Sequence, residues 1–228
     1  MKKIILIVIM LISLNSYAQN QYGSRLNNLE DAVVFYVNEY RASLRLNTLR
    51  RTKKYEDACD NQSQYLVAVN YNRFHNDTTI YKAEKNKTIN SKDSGPKVWI
   101  SHNQEIDLPN WIEKPLGHDR YRSLWGFDMG ECISILSHGS TSLNKNTYID
   151  SIEQTAVMIV NNWKKSHKHN EILKLKNADE VSIAIRYIET SRKIKLDLPD
   201  IGIIGQTEKY NFVVSTISVY SDKKNGAK

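Results

Sequence analysis

The chain has 228 residues, 40% of them hydrophobic, and a formal net charge of +7 at pH 7. That length suits one domain with a sizeable core. Only Cys59 and Cys132 are present, too few for a disulfide-stapled scaffold. The basic stretches, Arg50-Arg51-Thr52-Lys53-Lys54 and Lys164 to Lys176, lack the aromatic interleaving of a nucleic-acid groove; they read as solvated surface, and no nucleic-acid partner is expected.

Lys2 and Lys3 precede an apolar run from Ile4 to Leu14, and Ser16-Tyr17-Ala18 closes it with small residues placed for cleavage after Ala18. This is the layout of a secretory signal peptide over residues 1–18. The run is too short for a spanning helix, which needs roughly 20 apolar residues. No later stretch is long enough either, so no membrane span is expected. No cysteine follows the cleavage position, which argues against a lipid anchor. The mature chain is expected to be exported, to the periplasm or beyond the cell, starting near Gln19 with a short segment over 19–25.

Leu26, Leu29, Val33, Tyr36, Val37, Tyr40 and Leu44 recur at three- and four-residue steps, which predicts an amphipathic helix over about 26–45. Tyr55, Ala58, Gln62, Tyr65, Leu66 and Val69 predict a second over about 55–73. Residues 78–118 are polar, with Gly95-Pro96 in their midst, interrupted by Trp99, Ile100, Trp111 and Ile112. They read as a long, partly folded insertion, either surface decoration or a functional loop. Glu131 to Leu136 predicts a short strand. Ile149, Ile152, Ala156, Ile159, Val160 and Trp163 predict a third helix. Val181, Ile183, Ile185 and Tyr187 alternate with smaller or polar residues, and Phe212 to Tyr220 is rich in β-formers. Gly202 to Gly205 reads as a turn or strand break. Residues 221–228 form a polar tail. Helices first, then strands with one more helix, predict a layered α/β or α+β domain over 26–220.

Six histidines are scattered along the chain: His75, His102, His118, His138, His167 and His169. His75 follows the second helix, Glu131 enters a predicted strand, and His169 ends the third helix; element ends are where distant side chains converge. Two imidazoles and a carboxylate form a chemically sensible set. Neutral imidazole binds zinc at about 2.0–2.1 Å, and a carboxylate ligates the ion or acts as a base on its water. His167 and His169 share one ion only if the chain there is extended, because residues two apart on a helix face different sides.

These residues stand in an order that resembles the CAP superfamily, the cysteine-rich secretory, antigen 5 and pathogenesis-related proteins. Asn38-Glu39-Tyr40-Arg41 matches the Asn-x-x-Arg signature of the first helix. Ala58 to His75 matches the helix that runs into a histidine. Asp119-Arg120-Tyr121, Gly126-Phe127 and Gly130-Glu131-Cys132 match the Arg, Gly-aromatic and Gly-Glu steps. Trp163-x-x-Ser166-His167-x-His169 matches the register of the second histidine. The resemblance implies a three-layer α-β-α sandwich with a cleft that in some members binds a divalent cation. It places His75, Glu131 and His169 on three of the family's four cleft positions, with Ser166 at the second acidic one and His167 alongside. Zinc is the cation such a nitrogen-rich set suits. Cys132 replaces the family Asn, and His167 replaces a Pro.

Cys59 lies 16 residues before His75 on one predicted helix, about 24 Å along its axis. Cys132 adjoins Glu131, which the resemblance sets facing His75. A disulfide needs α-carbons within about 7 Å, so both thiols are expected to be free, with Cys132 either a buried structural thiol or a reactive one. The resemblance implies a binding module for a lipid or cell-surface component. Two alternatives stand beside it: a protease-like hydrolase using Glu131 as base, and a structural or adhesive domain. No nucleophile motif is present, which weighs toward binding over catalysis.

Overall fold

A computed structural model describes residues 23–75, 80–82, 98–102, 129–140, 151–198 and 202–221. The leader, the tail from 222, most of the 78–118 insertion with Trp111 and His118, and the Asp119-Arg120-Tyr121 and Gly126-Phe127 steps lie outside the described residues. In chain order the elements are β1 (Ser24–Arg25), α1 (Asn27–Ser43), β2 (Arg50–Arg51), α2 (Glu56–His75), β3 (Ile80–Lys82), β4 (Met129–Ser140), α3 (Ile152–Lys165), α4 (His167–Leu173), β5 (Glu180–Leu198) and β6 (Gly202–Tyr220).

The elements build a single α+β domain around an open six-stranded sheet. Its spine runs β1-β5-β6-β4, with β2 and β3 also pairing with β5. β4, β6 and β5 are antiparallel neighbours, whereas β2 and β3 run parallel to β5. Gly202 to Gly205, expected as a turn or break, instead opens β6 and pairs with Leu198 back to Lys195. Gly202 carries φ +82, a left-handed conformation suited to glycine. The hairpin register outweighs the low strand propensity of the two glycines.

Alternation along the strands sorts side chains onto two cores. Cys132, Leu136, Val181, Ile183, Ile185, Val213, Ile217 and Val219 join Leu29, Val33 and Val37 of α1 and Ala156, Ile159, Val160 and Trp163 of α3 in one cluster. The intervening residues Ile133, Ile188, Phe212 and Val214 join Tyr65, Leu66, Val69 and Phe74 of α2 in the other. Helices therefore cover both faces of the sheet. The apolar spacing of α1 and α3 gives each one buried stripe. Ser151 starts α3 by accepting a hydrogen bond from the Gln154 amide at 3.0 Å, the N-cap that leaves fewer orphan donors.

α2 differs, because Cys59, Gln62, Ser63, Tyr65, Leu66, Val67, Ala68, Val69 and Asn70 are all buried, so from Tyr65 to Asn70 every side is covered. Its sheet side is small: Ser63 Oγ donates to Ala184 O and meets Thr216 Oγ1 at 2.9 Å, and Cys59 Sγ lies 3.1 Å from Ser218 Oγ. Its outer side is covered by residues 98–102, with Val98 and Trp99 packed against the second core. Both cysteines are free and buried. Among the described residues no helix is long and apolar enough to cross a membrane.

Candidate functional site

β4 is the end of the sheet's spine, and three side chains from separate elements meet beside it. Glu131 lies in the cross-strand row of Ser218 and Ser182, on the face covered by α2. Its side chain is only 1% exposed, and its Oε1 meets His102 Nδ1 at 2.7 Å. His102 Nε2 in turn lies 3.5 Å from His169 Nε2 on α4. Glu131 Oε2 is buried with no hydrogen-bond partner among the described residues.

The sheet puts the two histidines on different sides of β4. α4 belongs to the α1–α3 side: Ile172 packs against that core, and Cys132, whose side chain points there, approaches His169 O with its Sγ at 3.6 Å. A Cβ at Gly130 would lie 2.5 Å from Ile172 Cγ1 and 2.8 Å from Cγ2. Glycine there lets α4 come close enough for His169 to reach past the strand.

Arg41 fixes the chain that leaves α4. It is fully buried on α1. Its Nε donates to Asn47 O at 2.8 Å, Nη1 to Leu173 O at 2.7 Å and Leu175 O at 3.1 Å, and Nη2 to Ala178 O at 3.2 Å. One guanidinium fork thus bonds four backbone carbonyls of α4 and two loops. Tyr40 adds a hydrogen bond from its hydroxyl to Asn170 Oδ1 at 2.7 Å. Tyr40 and Arg41 of α1 therefore hold the His169 helix and the chain that leaves it.

His102 comes from the strap of residues 98–102 across α2. Asn70 accepts from the Trp99 amide at 2.8 Å and donates to Trp99 O at 2.9 Å, while Gln62 donates to Ser101 O at 2.8 Å. Trp99 also meets the Tyr65 ring edge-on at 5.8 Å.

The remaining expected site residues stand elsewhere. His75 is at the exposed end of α2 with its ring stacked on Tyr71 at 5.3 Å. His167 opens α4 and is exposed; the helix turns it away from His169. Ser166 is the extended residue between α3 and α4, and its side chain caps neither helix. His138 pairs through its backbone with Asn211, and its side chain lies outside the described residues. Sequence reasoning took His75 where the structure brings His102. The available signal was Trp99-Ile100, an apolar pair in a polar stretch that marks where the insertion docks, three residues before His102.

The electrostatics are uneven. Burial first, and the neighbouring His102 second, push His169 down to about 4, so at neutral pH it is an uncharged imidazole. Burial, reinforced by the Glu131 charge, pushes the Cys132 thiol well up, and burial does the same to Cys59. Neither is a thiolate nucleophile. A neutral His102 that donates Nδ1–H to Glu131 carries its free lone pair on Nε2, toward His169. Two nitrogens bound tetrahedrally to zinc at 2.0–2.1 Å lie about 3.4 Å apart, close to the 3.5 Å seen. Glu131 stands behind His102, where a carboxylate would orient the ring and raise its basicity if Nε2 took a cation. Among the described residues no group of three His, Cys, Asp or Glu side chains is arranged to hold a metal ion. The set is thus two nitrogen donors with one supporting carboxylate.

No model of a known protein family matches the chain, and no curated protein matches it. Among solved structures it is similar to an outer surface protein from Borrelia burgdorferi, at 13% identity and a TM-score of 0.37, covering 88% of this chain and 99% of that one. That likeness is too slight to bear on fold or function.

Proposed function

We propose that this chain is an exported CAP-type domain, a three-layer α-β-α sandwich that works as a binding module. Its His102 and His169 nitrogens take a divalent cation, zinc before others, and Glu131 supports His102 from behind. The cation presents its open positions to a lipid or cell-surface ligand. The observation that carries the reading is the 3.5 Å approach of two imidazole Nε2 atoms, one of them backed by a buried carboxylate. Two imidazole nitrogens this close repel unless one carries a proton or a cation lies between them. Helices on both faces of the sheet and the buried Arg41 support the family reading, and the residue 1–18 pattern supports export.

With two protein ligands, water or the ligand fills the remaining positions, so binding is weaker than at a three-ligand site. A hydrolase would need a base on a bound water, and Glu131 already gives Oε1 to His102 while its Oε2 is sealed from solvent. That favours binding over turnover.

The test is zinc titration of the mature chain from Gln19. One zinc per chain is expected, lost in His102→Ala and in His169→Ala while both stay folded. His75→Ala is expected to bind as the wild type does. A folded wild type that takes no zinc overturns the cation. Unfolding of both histidine variants with no zinc bound would make the cluster a structural polar core.

A further inference from the structure

The strap carrying His102 is held differently from the rest of the molecule. Among the described residues, 98–102 pairs with no strand. Its apolar hold is Val98 and Trp99 against the second core, with Ile100 half exposed. Apolar packing of this kind is non-directional and does not set where along α2 the strap lies. A slip of one residue in an extended segment moves each side chain by about 3.3 Å, enough to take His102 off Glu131 entirely.

Register is set by two buried amides. Asn70 is fully buried and spends both amide protons and its oxygen: Nδ2 donates to Leu66 O and Trp99 O, and Oδ1 accepts from the Trp99 amide. It reads the N–H and C=O of one residue, as a neighbouring strand would. Gln62, two turns earlier and also fully buried, donates to Ser101 O, so the strap runs opposite to α2. A buried amide side chain is costly unless bonded. Leucine would fill either place if the outer face needed only an apolar cover.

We propose that Asn70 and Gln62 are positioning residues for His102: they fix the strap in the one register that sets its Nδ1 on Glu131 and its Nε2 toward His169. The inference rests on the reading of His102 as the group that holds the ligand. Neither amide touches that ligand; both act through the strap backbone.

The test uses full-length mature protein with ring-labelled histidines. In the zinc-free wild type, the His102 Nδ1–H held on Glu131 gives a slowly exchanging ring proton. Asn70→Ala and Gln62→Leu are each expected to abolish that signal and to weaken zinc binding about tenfold, within the range seen when the support behind a metal ligand is lost. Folded variants that keep the ring proton and the zinc affinity overturn the proposal. If Asn70→Ala does not fold, Gln62→Leu decides alone. If the wild type takes no zinc, the proposed cation-binding function falls, and the ring proton still decides whether the amides place His102.

Discussion

Two asparagines do the same job on opposite sides of the sheet. Asn38 on α1 accepts from the Leu49 amide at 2.7 Å and donates to Leu49 O at 3.0 Å. Asn70 on α2 does this to Trp99. The chain beyond each clamp behaves differently. After Leu49 it joins the sheet as β2, with Arg50 N on Asp179 O and Thr52 N on Val181 O, both at 2.8 Å. After Trp99 the described chain runs through Gln62's bond to Ser101 and reaches His102 without a strand. The α1 side therefore carries redundancy, with strand pairing, a buried arginine and an ion-paired Glu30 that bonds Arg25, Arg51 and the Ile185 amide. On the α2 side the strap of residues 98–102 is bonded by the Asn70 and Gln62 amides and packed through Val98 and Trp99. A site built half on each inherits one rigid histidine and one whose place depends on a few polar bonds.

The strongest way to break this contrast is Arg41→Ala. It removes four hydrogen bonds to backbone carbonyls around α4 and leaves a void, and about 3–5 kcal/mol of stability is expected to go. Arg41→Lys is expected to restore little, because one ammonium cannot span that fork. Denaturant unfolding checks the loss, and zinc titration of the folded fraction checks His169. A variant that stayed stable and bound zinc normally would mean that apolar packing alone seats α4, and the two sides would then not differ as argued.

Asn38→Ala sharpens the comparison from the other direction. Its expected cost is about 1–2 kcal/mol, the loss of a half-buried clamp whose segment is still paired to β5. Zinc affinity is expected to change less than twofold, unlike the tenfold loss expected for Asn70→Ala. Equal effects of the two asparagines on zinc binding would show that the sheet behind Leu49 gives no buffering.

The same contrast explains which parts of the fold are legible in the sequence. The α1 side is legible because its elements are periodic: Leu29, Val33 and Val37 fall at helical steps, and the resemblance flags Asn38 and Arg41. The strands are legible where they are buried, Val181 to Tyr187 and Phe212 to Tyr220. Their extensions are not, because Glu189, Ser191 and Lys193 carry little apolar alternation and Gly202 and Gly205 mimic a break; pairing across the hairpin supplies the order that composition lacks. α4 has seven residues, too few to show a period. His102 escapes sequence reasoning for the same physical reason that makes Asn70 matter. An extended strap has no sequence period, so its register is written in the residues that hold it, Gln62 and Asn70 on another element. His75 ends α2 in the place the resemblance suggested, and nothing local distinguishes an exposed helix-end histidine from a ligating one.

The smallest expected effect is in pH, and it probes whether the strap yields. His169 is pushed down to about 4 in the folded chain, against an ordinary value near 6.5. Between those values the unfolded chain binds the extra proton and the folded chain does not, so stability falls as pH drops from about 6.5 to about 4 and is unaffected by this group above 6.5. Asp60 works lower. Burial tends to raise its carboxyl, but its two bonds with Arg186 outweigh that and hold it below the usual carboxylate range, so its stabilisation is lost only as pH falls below about 4. The two windows separate. With zinc chelated, His169→Asn is expected to remove the decline in thermal midpoint between pH 6.5 and 4.5 and to leave the steeper acid loss in place. Parallel curves for the two proteins would mean that a protonated His169 is accommodated without penalty. The neighbour least firmly held is His102 on its strap, so the ring proton on Glu131 should then vanish over the same pH range. If that proton persisted, α4 itself would have to move, and the rigid half of the site would be the strap.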